Sequence, residues 1–398
     1  MKGILYGLIY LSLLFVSLNT EAQSRDRRGL GSEYKSESFS IAKGGVLDVN
    51  SSVGDILISV WDKNEVVISV DGIRSEDIND LEFRNDDGMI RVDFHPANAR
   101  WSKKIRFKID IPNEFNVDVR TGHGEIEIVG RIIGEVRGHT SGGDITLGDI
   151  EGEVNVTTSG GDIRVGLVTG LGYLKTSGGD IRVQESVADL DIHTSGGNIR
   201  LGNVGKELDA RTSGGDIQVG NVGDEARIST SGGDIDVGEV DGNVRLNTAG
   251  GTIQLLSGNG EVRATTAGGD IELYRITGSV EARTAGGDVL VELIPSGNGR
   301  SSLGTAGGDV TLYINKNARA TIEARIRVER KWKRKNRRNQ RDEESEYKIH
   351  SKFVAQRYDE DLDRGEIRAT YILNGGGEKI FLETANGQID IRELVGRR

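Results

Sequence analysis

The sequence predicts an all-β fold, a parallel β-helix (β-solenoid) made of 18-residue coils. The phrase Thr-Ser-Gly-Gly-Asp-Ile, with small variations, occurs nine times from Thr140 to Thr284 at a constant spacing of 18 residues. Apolar residues stand five and seven positions after each threonine, and again four and two positions before it. This alternation is typical of strands with one buried face. Each coil is therefore predicted to hold two short strands, stacked about 4.8 Å from their copies.

Composition agrees with a narrow core and frequent turns. The chain of 398 residues has 57 glycines, 3 prolines and only 5% aromatic residues, so Ile, Val, Leu and Ala are expected to fill the coils. The net charge of −11 argues against nucleic acid as the main partner. The absence of cysteine excludes disulfides, iron–sulfur clusters and thiol-ligated zinc.

Residues 1–22 have the pattern of a secretory signal peptide. Lys2 is followed by an apolar stretch from Ile4 to Leu18, and Ala22 ends a small-residue cleavage pattern. The alternative, an uncleaved anchor, is disfavoured because this apolar core is short for a span of about 20 residues. No second stretch of spanning length follows, so we expect an exported chain without a transmembrane segment. Its location would be the periplasm, the cell surface or the medium.

The rest of the chain divides by how closely it follows the repeat. We expect a flexible lead-in at 23–38, an N-terminal β cap region at 39–120 and regular solenoid repeats at 121–315. A C-terminal β cap at 316–398 would carry a charged insert at about 329–364. Irregular terminal coils are usual in solenoids. The closing β pattern, residues 379–391, is expected to cap the open end.

The repeated phrase is interpreted first as a structural corner. Its two glycines are expected to supply positive φ and close backbone approach, and its Asp to bond an N–H within its own turn. The threonine shares parity with the inward apolar positions. Asn198 and Thr252 interrupt the Asp column. A calcium site is a weaker alternative, because the Asp follows Gly-Gly directly and only once per coil. Ice binding is disfavoured because no outward Thr-x-Thr face persists.

Two columns of arginine point outward and are candidate ligand-facing strips. Six residues after the threonine stand Arg164, Arg182 and Arg200, and three residues before it stand Arg227, Arg245 and Arg263. Such strips suit an anionic glycan or another surface polymer. The alternative is a solvated face balanced by acids such as Asp209 and Glu281.

A basic run interrupts the C-terminal region and is a candidate partner loop. Its residues are Lys331, Trp332, Lys333, Arg334, Lys335, Arg337 and Arg338. A basic run with one aromatic residue suits an anionic membrane or nucleic acid, and export disfavours the latter. The alternative is a solvated loop between two strands, partly neutralised by the following acids.

No pattern of catalytic residues is present, so we expect no catalytic, metal or cofactor site. The sequence lacks Gly-x-Ser-x-Gly, His-Glu-x-x-His and phosphate-loop motifs. His139 and His193 share a repeat position but lie three coils apart, about 14 Å, and cannot share a metal. Other parallel β-helices cleave polysaccharides with carboxylates on their surface, yet the regular acids here are mostly corner residues. An enzyme is the minority interpretation.

Several segments together resemble a known family. They are residues 45–49 (Gly-Val-Leu-Asp-Val), 53–58 (Val-Gly-Asp-Ile-Leu-Ile), 109–112 (Ile-Asp-Ile-Pro), the Ser-Gly-Gly-Asp-Ile coils and 384–389 (Thr-Ala-Asn-Gly-Gln-Ile). With the export signal, they resemble the bacterial "putative adhesin" family of β-strand-repeat proteins, a domain of unknown function. The resemblance implies a parallel β-solenoid at or outside the cell envelope and supplies no catalytic residues. The basic run at 331–341 is not part of the family pattern.

Two functions follow as expectations. The first is a non-enzymatic exported β-solenoid that acts as an adhesin or envelope surface-binding protein, with a surface glycan or envelope protein as partner. The second is a periplasmic structural or stress-response scaffold that binds a protein partner. A carbohydrate-active enzyme ranks third. The sequence does not indicate an oligomeric state.

Overall fold

A computed structural model describes residues 32–97, 105–295, 299–327, 347–361 and 364–395. The N-terminal strands are β1 (Ser32–Ser40), β2 (Gly45–Ser51), β3 (Asp55–Trp61), β4 (Glu65–Arg74), β5 (Leu81–Asp86), β6 (Met89–Phe94), β7 (Arg106–Pro112), β8 (Phe115–Thr121) and β9 (Ile126–Ile133). One 3₁₀ turn, Ile78–Asp80, precedes β5.

Except at β19, which has three residues, the central strands alternate between a short and a longer member of each coil. They are β10 (Val136–Thr140), β11 (Ile145–Glu151), β12 (Val154–Thr157), β13 (Ile163–Val168), β14 (Gly172–Lys175), β15 (Ile181–Ser186), β16 (Leu190–His193), β17 (Ile199–Val204), β18 (Leu208–Arg211), β19 (Ile217–Val219), β20 (Ala226–Ser229), β21 (Ile235–Val240), β22 (Val244–Asn247), β23 (Ile253–Gly258), β24 (Val262–Thr265), β25 (Ile271–Ile276), β26 (Val280–Arg283) and β27 (Val289–Leu293).

The C-terminal strands complete both sheets. They are β28 (Arg300–Thr305), β29 (Val310–Ile314), β30 (Ala320–Arg327), β31 (Ile349–Ser351), β32 (Arg357–Asp361), β33 (Glu366–Leu373), β34 (Glu378–Thr384) and β35 (Ile389–Glu393).

The strands form two sheets that face each other across one core, as the repeat predicted. From β9 to β29 the odd-numbered strands stack in parallel in the first sheet, here called sheet A, and the even-numbered strands stack in the second, sheet B. The register equals the repeat, so that Ile163 lies between Ile145 and Ile181. Each of these side chains is fully buried, and such burial contributes about 1.5–3 kcal/mol per side chain. The β-solenoid prediction is confirmed.

The N-terminal end departs from sequence order. The coil of β2 and β3 is not the outermost coil at this end. Strand β2 lies between β6 and β8, and β3 lies between β7 and β9. Leu47, for example, stands between Ile90 and Val117. After β1, the chain thus lays down β2 and β3 one coil inside this end, adds the outer coil with β6 and β7, and continues inward with β8 and β9. Antiparallel strands β4, β1 and β5 then close the two sheets.

The C-terminal end repeats this arrangement. Strand β34 lies between β28 and β30, and β35 lies between β29 and β31. Leu382 stands between Leu303 and Ala324. The prediction that residues 379–391 cap the open end is therefore wrong. The cap is made by β30 with the antiparallel strands β33 and β32, and the last strands of the chain fill the coil beneath it.

Two other expectations also need correction. Residues 32–38 of the predicted flexible lead-in belong to β1, which pairs antiparallel with β4 through most of its length. Part of the predicted charged insert, 347–361, contains β31 and β32 rather than a continuous loop. Residues 1–31, which include the predicted signal peptide, lie outside the described residues.

Contacts between successive coils hold the repeated corner, together with one contact within the coil, in which the N–H of Gly179 donates to the hydroxyl of Thr176 (3.3 Å). The hydroxyl of Thr176 donates to the carbonyl of Gly161 in the preceding coil (2.8 Å). Oδ1 of Asp162 accepts the backbone N–H of Asp180 in the following coil (2.8 Å). The predicted Asp bond within its own turn is thus replaced by a ladder along the axis. Positive φ is absent from the described Gly-Gly corners, so close approach alone accounts for them.

A buried polar bridge lies in the longest coil of the central stack. From Thr284 to Thr305 the spacing is 21 residues rather than 18. Ser301 occupies an inward apolar position there, accepts the N–H of Val280 (3.1 Å) and donates to Oε1 of Glu378 (2.9 Å). Both Ser301 and Glu378 are fully buried. The bridge thus joins β26, β28 and β34 across the lengthened coil.

Replacing Ser301 by alanine should cost about 2–4 kcal/mol of unfolding free energy, because a buried N–H and a buried carboxyl both lose their partner. Hydrogen exchange at the Val280 amide should accelerate with it. The matched control is Ser302→Ala on the outward face, which should change stability by less than about 0.5 kcal/mol. Equal stability and exchange in the two variants would contradict a bridging role for Ser301.

Candidate functional site

The first arginine strip lies on the outer face of sheet A. Arg164, Arg182 and Arg200 stand on β13, β15 and β17 as direct register partners. Adjacent strands are about 4.8 Å apart, and the three side chains are 40–50% exposed. The sequence predicted this column correctly, because alternate residues of a strand face the same side.

The second strip lies on sheet B and does not meet the first. Arg227, Arg245 and Arg263 are register partners on β20, β22 and β24, further along the axis. Arg227 pairs with Glu225 (2.9 Å), and Arg263 pairs with Glu281 (2.9 Å). The flanking outward position carries side chains rather than glycine, for example Ser229 and Asn247 on β20 and β22. This strip is therefore a flat, largely paired face.

One acid next to the second strip is partly desolvated. Asp209 precedes Arg227 in the same column and pairs with Arg211. Burial raises the pKa of Asp209 above its usual value, and the charge of Arg211 opposes that rise. Its Oδ1 is buried and has no hydrogen-bond partner. The acid nevertheless belongs to an ion-paired surface column rather than to a cavity.

The ion pairs of the first strip differ sharply along its length. Arg164 is held by Asp162 (2.5 Å) and Asp144 (3.2 Å). Arg182 and Arg200 instead share the single carboxylate of Asp180 at 3.7 and 3.6 Å. Both separations exceed hydrogen-bond length. The two guanidinium groups therefore keep their donors available.

A shallow groove lies beside these two arginines. We call it the Arg182–Arg200 groove; it is lined by Arg182, Val183, Gln184, Arg200, Leu201, Gly202, Gln218, Val219 and Gly220. Gly202 and Gly220 occupy an outward position, so no side chain covers the floor. Leu201 keeps 7% exposure there, whereas Leu255 and Leu273 at the equivalent position are fully buried.

Sequence reasoning missed the groove because it depends on side chains that are absent. The signal was available in part: glycine recurs eight residues after the threonine, for example at Gly166, Gly202 and Gly220. It was interpreted only as a turn. Gln184 interrupts this glycine column and closes one end of the groove, and Gln218 continues the arginine column. Neither glutamine belonged to the predicted strips.

The corner acids are engaged in the ladder rather than gathered into a metal site. Each Asp of the column that accepts a backbone N–H uses Oδ1 for it, as Asp144 does for Asp162 (2.9 Å). No group of three or more His, Asp or Glu in the described ranges could hold a metal ion. In the same residues, no helix is long and apolar enough to cross a membrane. The candidate partner loop, residues 331–338, lies outside the described part of the chain.

Comparison with known proteins identifies a family but no activity. A family model described as Toastrack DUF4097 matches residues 34–248 and 205–328, more than half of the chain. No curated protein matches the sequence. Similar solved structures include three proteins called a putative adhesin. That from Bacteroides fragilis has 12% identity and a TM-score of 0.26, with 66% of this chain and 97% of that chain covered.

The other two come from Parabacteroides species. The protein from Parabacteroides distasonis has 16% identity and a TM-score of 0.33, with 66% and 97% coverage. The protein from Parabacteroides merdae has 17% identity and a TM-score of 0.31, with 66% and 96% coverage. At TM-scores this low, the superpositions carry no weight for the function of this chain.

Proposed function

This chain belongs to the Toastrack DUF4097 family, and from that premise we propose that it is an exported, non-enzymatic β-solenoid that binds a polymer at the bacterial envelope or cell surface. The Arg182–Arg200 groove is the observation that carries the proposal. It combines two guanidinium groups without hydrogen-bond partners in the described structure, an uncovered floor and a position on the outer face of an uninterrupted stack.

The solenoid supports binding to an extended partner in particular. Consecutive coils repeat the same outward positions at the strand spacing of about 4.8 Å, so the groove presents a linear series of contacts. Repeat proteins commonly use such extended surfaces for binding. Export rests on the signal-peptide pattern of residues 1–22.

The periplasmic scaffold remains the second candidate. Its support is the basic run at 331–341, which the chain inserts between β30 and β31 of the C-terminal cap. A protein partner would engage this run by charge, whereas the surface-binding function would depend on the central coils. The two candidates therefore predict sensitivity to different changes.

Purified protein beginning at Gln23 should bind intact bacterial cells or isolated envelopes saturably, without releasing soluble fragments from them. A variant lacking 331–338 should bind equally well, and surface protease should remove the native protein from intact cells. Cell-binding assays and protease shaving measure these outcomes. Absence of saturable binding to any envelope fraction would contradict the proposal, and loss of binding only in the 331–338 deletion would favour the scaffold.

A further inference from the structure

We propose that the Arg182–Arg200 groove binds a linear polysaccharide that carries carboxylates, with Arg182 and Arg200 each contacting one carboxylate of the chain. This inference rests on the proposed surface-binding function and names its ligand class. Four features of the groove support it: the donors of the two arginines, the charge around them, the shape of the floor and the groups at the groove's edges.

Arg182 and Arg200 have hydrogen-bond donors that no described residue uses. Each guanidinium has five N–H donors in a planar fork that matches a carboxylate in a bidentate geometry. Within the described residues, neither Arg182 nor Arg200 donates a hydrogen bond, and their only ion pair is the shared Asp180 at 3.7 and 3.6 Å. Arg164, one coil away, donates to both Asp144 and Asp162. The strip is thus open to a ligand at two of its three members.

The column of corner acids is interrupted beside Arg200. Asp144, Asp162, Asp180, Asp216 and Asp234 form the corner column, and Asn198 replaces the acid in the coil that carries Arg200. Asp180 is therefore the one corner acid in the two coils that carry Arg182 and Arg200, and the next corner acids, Asp162 and Asp216, lie in the flanking coils.

Asn198 lacks the negative charge of a corner Asp but keeps its place in the hydrogen-bond ladder. Its N–H donates to Oδ1 of Asp180 (2.8 Å), and its own Oδ1 accepts the N–H of Asp216 (2.8 Å). The exchange of Asp for Asn is therefore structurally silent, and its consequence is electrostatic. An anion at Arg200 meets less repulsion than it would in any coil with the complete Asp column.

The Arg182–Arg200 groove has a floor without covering side chains and polar groups at its edges. The floor at Gly202 and Gly220 is bare backbone, with Leu201 just beneath it at 7% exposure, so a sugar ring can approach closely. Gln184 and Gln218 border the floor, and each amide can donate and accept hydrogen bonds with sugar hydroxyls. No aromatic side chain lines the groove. Single-stranded nucleic acid, which is bound largely through aromatic stacking, is therefore disfavoured.

The spacing of Arg182 and Arg200 along the axis bears on the kind of polymer that fits the groove. Arg182 and Arg200 lie on adjacent strands, about 4.8 Å apart, and the groove runs along the solenoid axis across three coils. A polyuronate carries one carboxylate on each sugar ring, so neighbouring rings can meet neighbouring coils. The two oxygens of a carboxylate match the planar fork of a guanidinium group in a bidentate pair.

Binding of a fluorescent hexagalacturonate to the full mature protein tests the proposal by anisotropy at two salt concentrations. The variant Arg182→Gln/Arg200→Gln should weaken binding at least about tenfold, since it removes two charge-assisted contacts. Asn198→Asp should weaken it severalfold, and Asp180→Asn should strengthen it severalfold while preserving the ladder. The control Arg227→Gln/Arg245→Gln makes the same charge change on sheet B and should retain native affinity.

Three results would overturn the proposal. One is absence of hexagalacturonate binding, and another is equal weakening by the sheet A and sheet B double variants. The third is equal binding of the methyl-esterified hexamer, or tighter binding of a sulfated hexamer or single-stranded DNA. If the groove variants lose the hexamer but keep native binding to cells, the ligand assignment fails and the surface-binding function stands. If native protein binds the hexamer but no envelope, the surface function fails instead.

Discussion

Replacing Gly179 by alanine should destabilise the solenoid by about 3 kcal/mol or more, because the added methyl group would clash with the backbone of the preceding coil. A Cβ at this position would lie 2.1 Å from the carbonyl oxygen of Gly161 and 2.7 Å from the backbone nitrogen of Asp162. Backbone atoms cannot rotate away as a side chain can. Adjacent coils would have to separate, which would weaken the Thr176 and Asp180 hydrogen bonds at the same corner.

The neighbouring glycine is the matched control. A Cβ at Gly178 would lie 3.4 Å from the nearest atom, the carbonyl oxygen of Gly160, which is ordinary contact. Gly178→Ala should therefore cost less than about 1 kcal/mol. Denaturant unfolding of the two purified variants measures the difference, with soluble yield as a second readout. Similar stability in both would mean that the coils are not packed as closely as described.

The sequence itself carries a sign of this asymmetry. In the three worn copies of the phrase, the first glycine is replaced by Val53, His123 or Asn386, whereas the second is retained as Gly54, Gly124 or Gly387. The prediction of positive φ treated both glycines alike; it is wrong for the regular corners and holds only at Gly54, in a worn copy. Only a three-dimensional distance shows that the second one faces the backbone of the preceding coil.

The central coils could be predicted because their contacts are periodic. Each inward residue packs against residues 18 positions away, so one rule describes Ile145, Ile163 and all their equivalents. The ends could not be predicted in the same way. Which strand lies next to which there depends on long-range pairing, as between Leu303 and Leu382, and no local pattern encodes that order.

The candidate site was likewise predicted only in part. Alternation along a strand placed Arg164, Arg182 and Arg200 on one face, and the register confirmed the column. The difference between Arg164 and the other two arises from distances to Asp162 and Asp180. Asn198 was recognised only as an interruption of the Asp column. Its significance for Arg200 appears once both side chains are placed beside the groove.

Ending the chain after Gly377 should destabilise the C-terminal cap, although it removes only the last 21 residues. These residues form β34 and β35, which separate the cap from the preceding coil. Their loss removes the buried side chains of Ile380, Leu382, Ile389 and Ile391, each worth about 1.5–3 kcal/mol. It also leaves strands β28 and β30 without their shared partner.

The matched control removes a whole coil from the middle of the stack. Deleting 230–247 joins Ser229 to Thr248 and leaves the repeat in phase. Since each coil contacts mainly its neighbours, and Ala226 and Val262 are inward equivalents on either side, the shortened chain should remain folded and protease-resistant.

Limited proteolysis and hydrogen exchange separate the two deletions. In the chain ending at Gly377, β30 and β33 should lose protection while the coils from β10 to β25 retain it, because stability in a solenoid is the sum of local terms. A truncated chain with a fully protected cap would show that β34 and β35 lie outside it, as the sequence alone suggested. Collapse of the 230–247 deletion would show instead that the coils are not interchangeable, and the nearest-neighbour description of this solenoid would fail.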